Sequence, residues 1–456
     1  METNQNFEPS PMHQPSNSPN FFQSSTAKIL MVGLLTLVLL IPLQYVKELI
    51  YERAERQKQV VNEINSKWGE SVYMYGPVLK VPYTFYTETK ISDVKTKKIT
   101  IQQSAETRFA YFFPDKLNAD MNVKTQQKNR SNYQSVVYTS ALNFKGNYQF
   151  PNFSSQSISN ENIQWNKVSI VVKTNNIKSI TGSVVVAING KNYSFEPTQD
   201  DESKDSVASL ETRAFDIKNA FATGSANFDF KINYKGSEEI KIVPIGKMTT
   251  AKMTSNWPSP SFDGNFLPEG SKIGDNGFTA DWKVSHLNRA FGQQHFGALP
   301  NLAAYTFDVR FLIPVDQYQQ NERASKYGFL VIGLTFLVFF LIQSVSKISI
   351  HIFQYSMIGL ALIMFYTLLI SITEHSSFRL AYIVAGIAVI VMIGLYSLSI
   401  LKNIKFPVFI AVSLSALYSF IYVIIQLENY ALLVGSIGLF AILGAVMYFS
   451  RKIEWK

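Results

Sequence analysis

One stretch, DQYQQNERASKYGFLVIGLTFLVFFLIQ at 316–343, limits what this chain can fold into. No charge falls between Tyr327 and Gln343, and a helix needs about 20 mostly apolar residues to cross the ~30 Å hydrocarbon core of a bilayer. The first part of the stretch holds Gln319, Gln320, Glu322, Arg323 and Lys326. It is polar enough to continue the same helix into water as a neck, 316–326. Residues 327–449 read as a membrane block. The chain before the neck, back to Lys47, reads as a folded region outside the lipid.

A second uncharged run, ILMVGLLTLVLLIPLQYV at 29–46, is 18 residues long. A long, nearly neutral lead and the exit Leu43-Gln44-Tyr45-Val46-Lys47 favour a retained signal-anchor (27–46) over a cleaved signal peptide. After 327–343 come four more apolar stretches, 352–372, 378–401, 406–426 and 430–449, which makes six spans. Lys28, Lys347, Lys402, Lys405, Arg451, Lys452 and Lys456 fall on one face of the spans, with only Arg379 in the short loops opposite. That bias puts both termini, including the tail 450–456, in the cytoplasm and the large domain outside. The tail 1–26, rich in Pro, Ser, Asn and Gln, cannot bury enough apolar area to offset its chain entropy and reads as disordered.

Beyond the first span, Ile50, Ala54, Gln57, Val61, Ile64 and Trp68 recur at spacings of 4, 3, 4, 3 and 4. They form a stripe down one face of a stalk helix, 47–69, with Gly69 as its stop. Glu52-Arg53 leaves the first span and Glu322-Arg323 enters the second, so the two neck helices are expected to exchange Glu–Arg pairs. From 70 to 315 the texture is β. Short β-branched and aromatic runs at 78–86, 108–113, 133–144, 168–173, 183–188, 228–234, 239–245 and 305–313 are separated by turn signals, including Asn189-Gly190 and Lys235-Gly236-Ser237. Many short strands without alternating long helices favour mainly antiparallel sheets, as a sandwich or stacked sheets. A linker-like run near 150–160 allows a division into two subdomains. The fold class is thus a membrane α-helical bundle of six spans plus a large antiparallel β domain.

The chain has no cysteine, which excludes disulfides, thiolate metal sites and a cysteine nucleophile. A net charge of +9, with scattered basic residues, reads as solvated surface and topogenic charge rather than a nucleic-acid footprint. No H-E-x-x-H, G-x-S-x-G or Walker-type loop is present. Asp281, His286 and His295 lie close in sequence without specific spacing. No catalytic, cofactor or metal residue is therefore assigned, and no enzyme activity is expected. In TSNWPSPSFDGNFLP, at 254–268, three prolines and Asp263-Gly264 forbid a regular helix or central strand. Its aromatics must be pinned to something. Trp257, Phe262, Asp263 and Phe266 read either as a partner-binding loop or as a structural plug. Glu374-His375, at one end of a span, reads as a polar helix turn or as a tuned proton acceptor. The span interiors carry no ionisable residue, which argues against ion-coupled transport.

Several long strings carry a family resemblance between about 36 and 385: LLIPLQYVKELIYERA, Gly76-Pro77 with the following VLKVP, SNWPSPSFDGNFLP, VDQYQQNERASKYGFLVIGLTFLVFF, and HIFQYSMIGLALIMFYTLLISITEHSSF. In these the chain resembles the CreD family of bacterial inner-membrane cell-envelope integrity proteins. The longer Ser/Pro/Asn-rich tail departs from the family pattern. The resemblance implies an N-terminal span, a large periplasmic domain and a C-terminal bundle. It also implies a place in envelope or cell-wall stress responses under a two-component regulon, with tolerance to agents such as colicins. No catalytic residue can be carried over. The expectation is a multi-pass inner-membrane protein in contact with the lipid bilayer, acting without catalysis as a periplasmic sensor or scaffold for an envelope protein or cell-wall partner. The alternative is a lipid or small-molecule transporter working through the bundle.

Overall fold

The computed structural model describes residues 25–92, 99–156, 158–198, 207–222, 224–313, 317–346, 348–401, 403–427 and 430–451. The tail 1–24, the acidic loop 199–206, residues 452–456, and Lys347 and Lys402 lie outside the described residues. The chain divides into two compact units, Gln57–Val315 and Met1–Arg56 with Asp316–Lys456. Helix α1 (Ser25–Trp68) is uninterrupted over 44 residues, about 66 Å at 1.5 Å per residue. Pro42 sits inside it, as spans tolerate. The stripe is covered only in part: Ile50 is buried, Ala54, Gln57, Val61, Ile64 and Trp68 are half-buried, and the buried Val60 and Asn65 lie beside it.

The first unit is β-rich. Its strands, in chain order, begin with β1 (Val72–Ser92), β2 (Ile99–Phe112), β3 (Lys116–Arg130), β4 (Tyr133–Gln149), β5 (Ser169–Thr174), β6 (Val185–Ile188), β7 (Lys191–Thr198) and β8 (Ala208–Thr212). They continue with β9 (Ser225–Ser237), β10 (Glu239–Ile242), β11 (Met248–Ser255), β12 (Pro260–Gly264), β13 (Gly270–Gly274), β14 (Gly277–Ser285), β15 (Gln294–Phe296) and β16 (Phe307–Phe311). One ladder runs β12-β16-β10-β1-β5-β8, with β2 and β15 added on the far half of β1, and the other runs β9-β4-β3-β11-β14-β13. The β6–β7 hairpin joins them, β6 pairing with β9 and β7 with β8. Pairing is antiparallel except for β1 with β10 and β3 with β11.

The two ladders share one buried core. Trp282 of β14 stacks on Phe307 of β16 at 4.9 Å, and Tyr138 of β4 meets Phe311 of β16 at 5.2 Å. The hydroxyl of the fully buried Tyr148 (β4) donates to the Pro77 carbonyl (β1) at 3.0 Å, which satisfies a group that would otherwise be costly to bury. A large, mostly antiparallel sheet of 16 strands, its two ladders sharing a core, is thus the observed architecture.

Two expectations change and one holds. β1 pairs with β5 and β10, and β4 with β9, so strands on both sides of 150–160 share each ladder and no boundary falls there. The β9–β10 corner falls at Glu238 (φ 59), while Gly236 lies within β9, facing Tyr138 so closely that a side chain would not fit. Asn189 (φ 45) and Gly190 (φ 87) do turn the β6–β7 hairpin, as an Asn-Gly pair is suited to do.

The second unit is helical: α2 (Gln317–Lys326), α3 (Gly328–Ser346), α4 (Ile352–Thr373), α5 (Phe378–Ile400), α6 (Lys405–Gln426) and α7 (Ala431–Ser450). Among the described residues five helices, α1 included, are long and apolar enough to cross a membrane, or six if α2 and α3 count as one bent span. The neck is not a straight extension of α3, because α2 and α3 meet at 42°. A glycine opens the break, and a Cβ on Gly328 would come within 2.8 Å of the Leu43 side chain. α2 lies against α4, α5 and α6 and buries Tyr318, Asn321, Ala324 and Ser325. It is a packed element.

Candidate functional site

The end of α1 is locked to the β unit through one amide. Asn65, 6% exposed, donates to Glu238 Oε1 at 2.9 Å and accepts from Ser135 Oγ at 2.6 Å. Its carbonyl also accepts from the Gly69 N–H at 2.7 Å. Trp68 donates its indole N–H to the Tyr138 carbonyl at 3.2 Å, and Lys128 and Lys235 flank its ring at 4.9 and 5.1 Å. Glu63 pairs with Arg130. Gly69 (φ 155) passes so close to β9 that a Cβ would lie 2.3 Å from the Lys235 carbonyl oxygen. The helical stripe pointed to this face. It did not single out Asn65, a polar residue at an inward position, which is the signal that was available.

The 254–268 segment is drawn into the core. Trp257 is 7% exposed, and its indole N–H is shared between the Ser259 and Leu312 carbonyls, each at 3.1 Å. Phe262 packs edge-on against Phe278 and Trp282 at 5.7 and 6.0 Å. Phe266 is partly buried against the same core, and its carbonyl accepts from the Trp282 indole at 3.1 Å. The prolines permit an edge strand, and β12 pairs on one side with β16. The rings are therefore occupied internally. Asp263 remains in a cross-strand charge ladder, with Arg310 bridging Asp263 at 3.4 Å and Glu239 at 3.5 Å. Lys241 bridges Glu239 at 3.0 Å and Asp308 at 3.9 Å. Burial pushes the Asp308 carboxyl above its ordinary range, against the smaller opposing pulls of Thr306 and Lys241.

In the helical unit the expected neck exchange takes a different form. Arg53 pairs with Glu374 at 3.4 Å, while Glu322 pairs with Lys326 one turn along α2 at 3.0 Å. Arg323 reaches the Ile425 carbonyl at the end of α6 at 3.4 Å, and Glu52 is exposed. The reason is the bend: α2 lies over the ends of α4 and α6, so α1 meets the α4 cap. Glu374 is that cap and is half-buried, whereas His375 beside it is exposed. The two point apart, as neighbouring helical residues do.

Asp281, His286 and His295 do not form a metal cluster, and no such group occurs among the described residues. Asp281 lies on β14 opposite Lys252, whereas His295 lies on β15 opposite Tyr111 in the other ladder. His295 contacts the Gly292 carbonyl at 3.2 Å, and burial lowers its pKa.

One concavity in the β unit, missed by the sequence reading, is a groove of about 850 Å³ over β1, β2, β5 and β8, walled by the 297–302 loop. Tyr73, Tyr75 and Tyr111 contribute aromatic surface, and Lys80, Arg108 and Glu211 contribute charge. Lys80 bridges Glu211 at 2.9 Å and lies 4.3 Å over the Phe109 ring, while Ser169 donates to the other Glu211 oxygen at 2.5 Å. The groove combines apolar area with donors and acceptors already paired to one another. A concave apolar face with a few placed polar groups is the general form of a ligand site. No single motif marks it, because its residues come from four strands and a loop.

Residues 24–456 match the family described as "Inner membrane protein CreD". The Inner membrane protein CreD of Escherichia coli (strain K12) is 28% identical over 424 residues, covering 92% of this chain and 91% of that protein. The apolar helices and the long, ordered matches thus agree, and the chain belongs to the CreD family of inner membrane proteins.

Proposed function

We propose that this chain is a six-span inner-membrane component of envelope integrity or envelope stress response. In this reading the termini are cytoplasmic and the β unit is periplasmic. It acts without catalysis, as a sensor or scaffold whose groove over β1, β2, β5 and β8 takes an envelope protein or cell-wall ligand. The observation that carries the proposal is the continuity of α1. One helix runs without a break from an apolar span to the buried Asn65 lock. A change imposed on the β unit is thereby delivered to a span as a rotation or shift of that helix.

The test is an insertion of two alanines between Glu52 and Arg53, which turns the rest of α1 by about 200°. The expected outcome is loss of the envelope phenotype with the β unit still folded by tryptophan fluorescence. A fully functional insertion would show that the units work independently and would end the coupling proposal. The absence of cysteine makes topology directly testable. A single cysteine at exposed Leu287 is expected to react with an impermeant maleimide in spheroplasts, and one at Ile404 only after permeabilisation.

A second reading, lipid or small-molecule transport, rests on a cavity of about 320 Å³ lined from α3, α6 and α7, with Thr335 and Ser413 as its polar groups. It requires variants of Glu374 and His375, or of this cavity, to abolish function while groove variants do not.

A further inference from the structure

Strands β1 and β2 run past the body of the β unit. Their antiparallel register continues from Leu79–Phe112 out to Ser92–Ile99. On its other side β1 pairs with β5 as far as Lys80, with one bridge from Tyr83 to Ile163, and β2 pairs with β15 over Ala110–Phe112. Residues 85–92 and 99–106 therefore form a ribbon of two strands, eight residue pairs long, or about 27 Å at 3.4 Å per residue. Residues 85–89 and 101–107 are exposed throughout, so neither face of the ribbon is covered there. Tyr86 is 51% exposed and Ile101 55%. They share one face, since Ala105 lies opposite Tyr86 and Ile101 is four residues from Ala105.

A two-stranded ribbon is marginally stable by itself in water, and further strands are what stabilise it. Free edges elsewhere in this unit are blunted in the ways native sheets use against pairing with other chains. Edge strand β12 lies among Pro258, Pro260 and Pro268 and carries Asp263, and β13 is five residues between Gly270 and Gly274 with Lys272 at its centre. The ribbon's β1 edge carries Glu88 and Lys90. The β2 edge has no such guard. Its run ITIQQSA, at 99–105, contains no charge, proline or glycine, and among the described residues no strand pairs with its outer side. Uncharged segments of this length and β-propensity are those that pair with their like.

We propose that the outer edge of β2 over 99–105 pairs antiparallel with the same edge of a second copy of this chain. The product is a four-stranded sheet, β1-β2-β2-β1, closed about a two-fold axis. The ribbon stands clear of the body along this run, so no pocket or flanking charge is there to select a foreign side chain. Recognition falls to main-chain hydrogen bonds and to flat side-chain pairs across the strands. An identical strand meets both needs. A register centred on Gln102 sets Ile101 opposite Gln103 and Ile99 opposite Ala105, and no like charges meet. Gln103 already donates to Glu88 within the ribbon at 3.0 Å, which engages the nearest acid. The run ends before Glu106, where β2 begins to line the groove, so the two sites are separable by substitution.

The test uses the full chain, whose lack of cysteine lets single cysteines report contact. Cysteine replaces Ile101, Gln102, Gln103 and Ser104 in turn, and membranes holding each variant are oxidised mildly. At a two-fold axis the two copies of one residue on antiparallel strands lie about 4.5–5.5 Å apart at Cα, within disulfide range. One residue from the axis they are offset by about 7 Å along the strand. The expected result is a disulfide dimer of twice the chain mass, several-fold stronger at one position than at its neighbours. Thr87→Cys, on β1, is expected to give none. Gln102→Lys combined with Gln103→Lys sets like charges around the axis. That variant is expected to turn the dimer into a monomer by light scattering in maltoside micelles, with Tm unchanged because the ribbon is exposed. The proposal is overturned if cross-linking is absent or equal at all four positions, if the product is an adduct with a different protein, or if the double-lysine variant stays dimeric.

Discussion

Strand β3 and helix α7 display opposite faces to their surroundings. Along β3, Leu117, Ala119, Met121 and Val123 point inward, and Lys116, Asn118, Asp120 and Asn122 point out. Along α7, Leu432, Leu433, Ile437, Phe440 and Met447 are exposed, and none of its apolar window is buried. Inside, the helical unit buries hydroxyls and small residues, among them Tyr366, Ala381, Ala385, Ser397 and Tyr418, beside large apolar side chains such as Phe336, Phe365 and Ile421. Exposed apolar area on this scale is intelligible only if the surroundings are lipid, where packing and small residues hold helices together. The β unit is stabilised by removing apolar surface from water. Comparable perturbations should therefore cost different amounts in the two units.

The largest expected effect compares two close approaches. A Cβ on Gly69 would meet the Lys235 backbone carbonyl of β9 in a backbone conformation that side chains rarely adopt, whereas a Cβ on Gly359 of α4 would meet the side-chain ends of Leu39 and Phe336. A paired strand cannot step aside, but side chains can change rotamer. Gly69→Val should cost about 3–5 kcal/mol through strain and clash, and Gly359→Val about 1–3 kcal/mol as overpacking. Thermal melts of the purified variants check the ranking. A Gly359 variant that is the less stable of the two would show that the bundle is the more rigid body.

Hydrogen bonds sharpen the same contrast. Asn65→Leu leaves the buried Ser135 hydroxyl without its partner, while the exposed Glu238 turns to water, and should cost about 1–3 kcal/mol. Tyr355→Phe removes the buried bond to Gln343 Oε1 at 3.0 Å. It should cost only about 0.6 kcal/mol, since a span loosened from its neighbours still finds partners within the membrane. Denaturant or detergent-titration midpoints for the two variants provide the measurement.

A pH titration isolates one charge in the β unit. The Asp308 carboxyl has its pKa raised by burial, so between its ordinary value and the raised one the folded protein holds more protons than the unfolded. Stability therefore falls as pH rises through that window and is regained on acidification. Asp308→Asn should flatten that part of the Tm-against-pH curve. An unaltered slope would mean that Lys241, at 3.9 Å, already offsets the burial.

The sequence showed the spans because a bilayer demands a length of apolar chain that no soluble element needs, and it showed strand texture wherever Val, Ile, Tyr and Phe cluster. It did not show β3, β11 or β14, whose inward positions include Ala119, Thr249, Ala251 and Ala280, small or polar residues that carry little hydrophobic signal. Nor could it show that β1 sits between β5 and β10, a pairing between distant parts of the chain. The fate of Trp257 was open because a proline-rich aromatic segment reads alike whether its rings face a partner or a core. The Leu312 carbonyl that helps hold its indole lies far along the chain. The groove is likewise assembled from residues with no common motif.

The smallest expected effect concerns the neck. Arg53 and Glu374 are 3.4 Å apart, with 45% and 21% of their side chains exposed. Half-open pairs of this kind contribute about 0–1 kcal/mol. A double-mutant cycle on Arg53→Gln and Glu374→Gln should return a coupling of about 0.5 kcal/mol at low salt that shrinks as ionic strength rises. The companion cycle on Arg53→Gln and Glu322→Gln should return none, because Glu322 is engaged by Lys326. If the second cycle couples and the first does not, α2 must swing toward α1 in the working protein. The bend at Gly328 would then be a joint, and the coupling proposed for α1 would run through both neck helices instead of one.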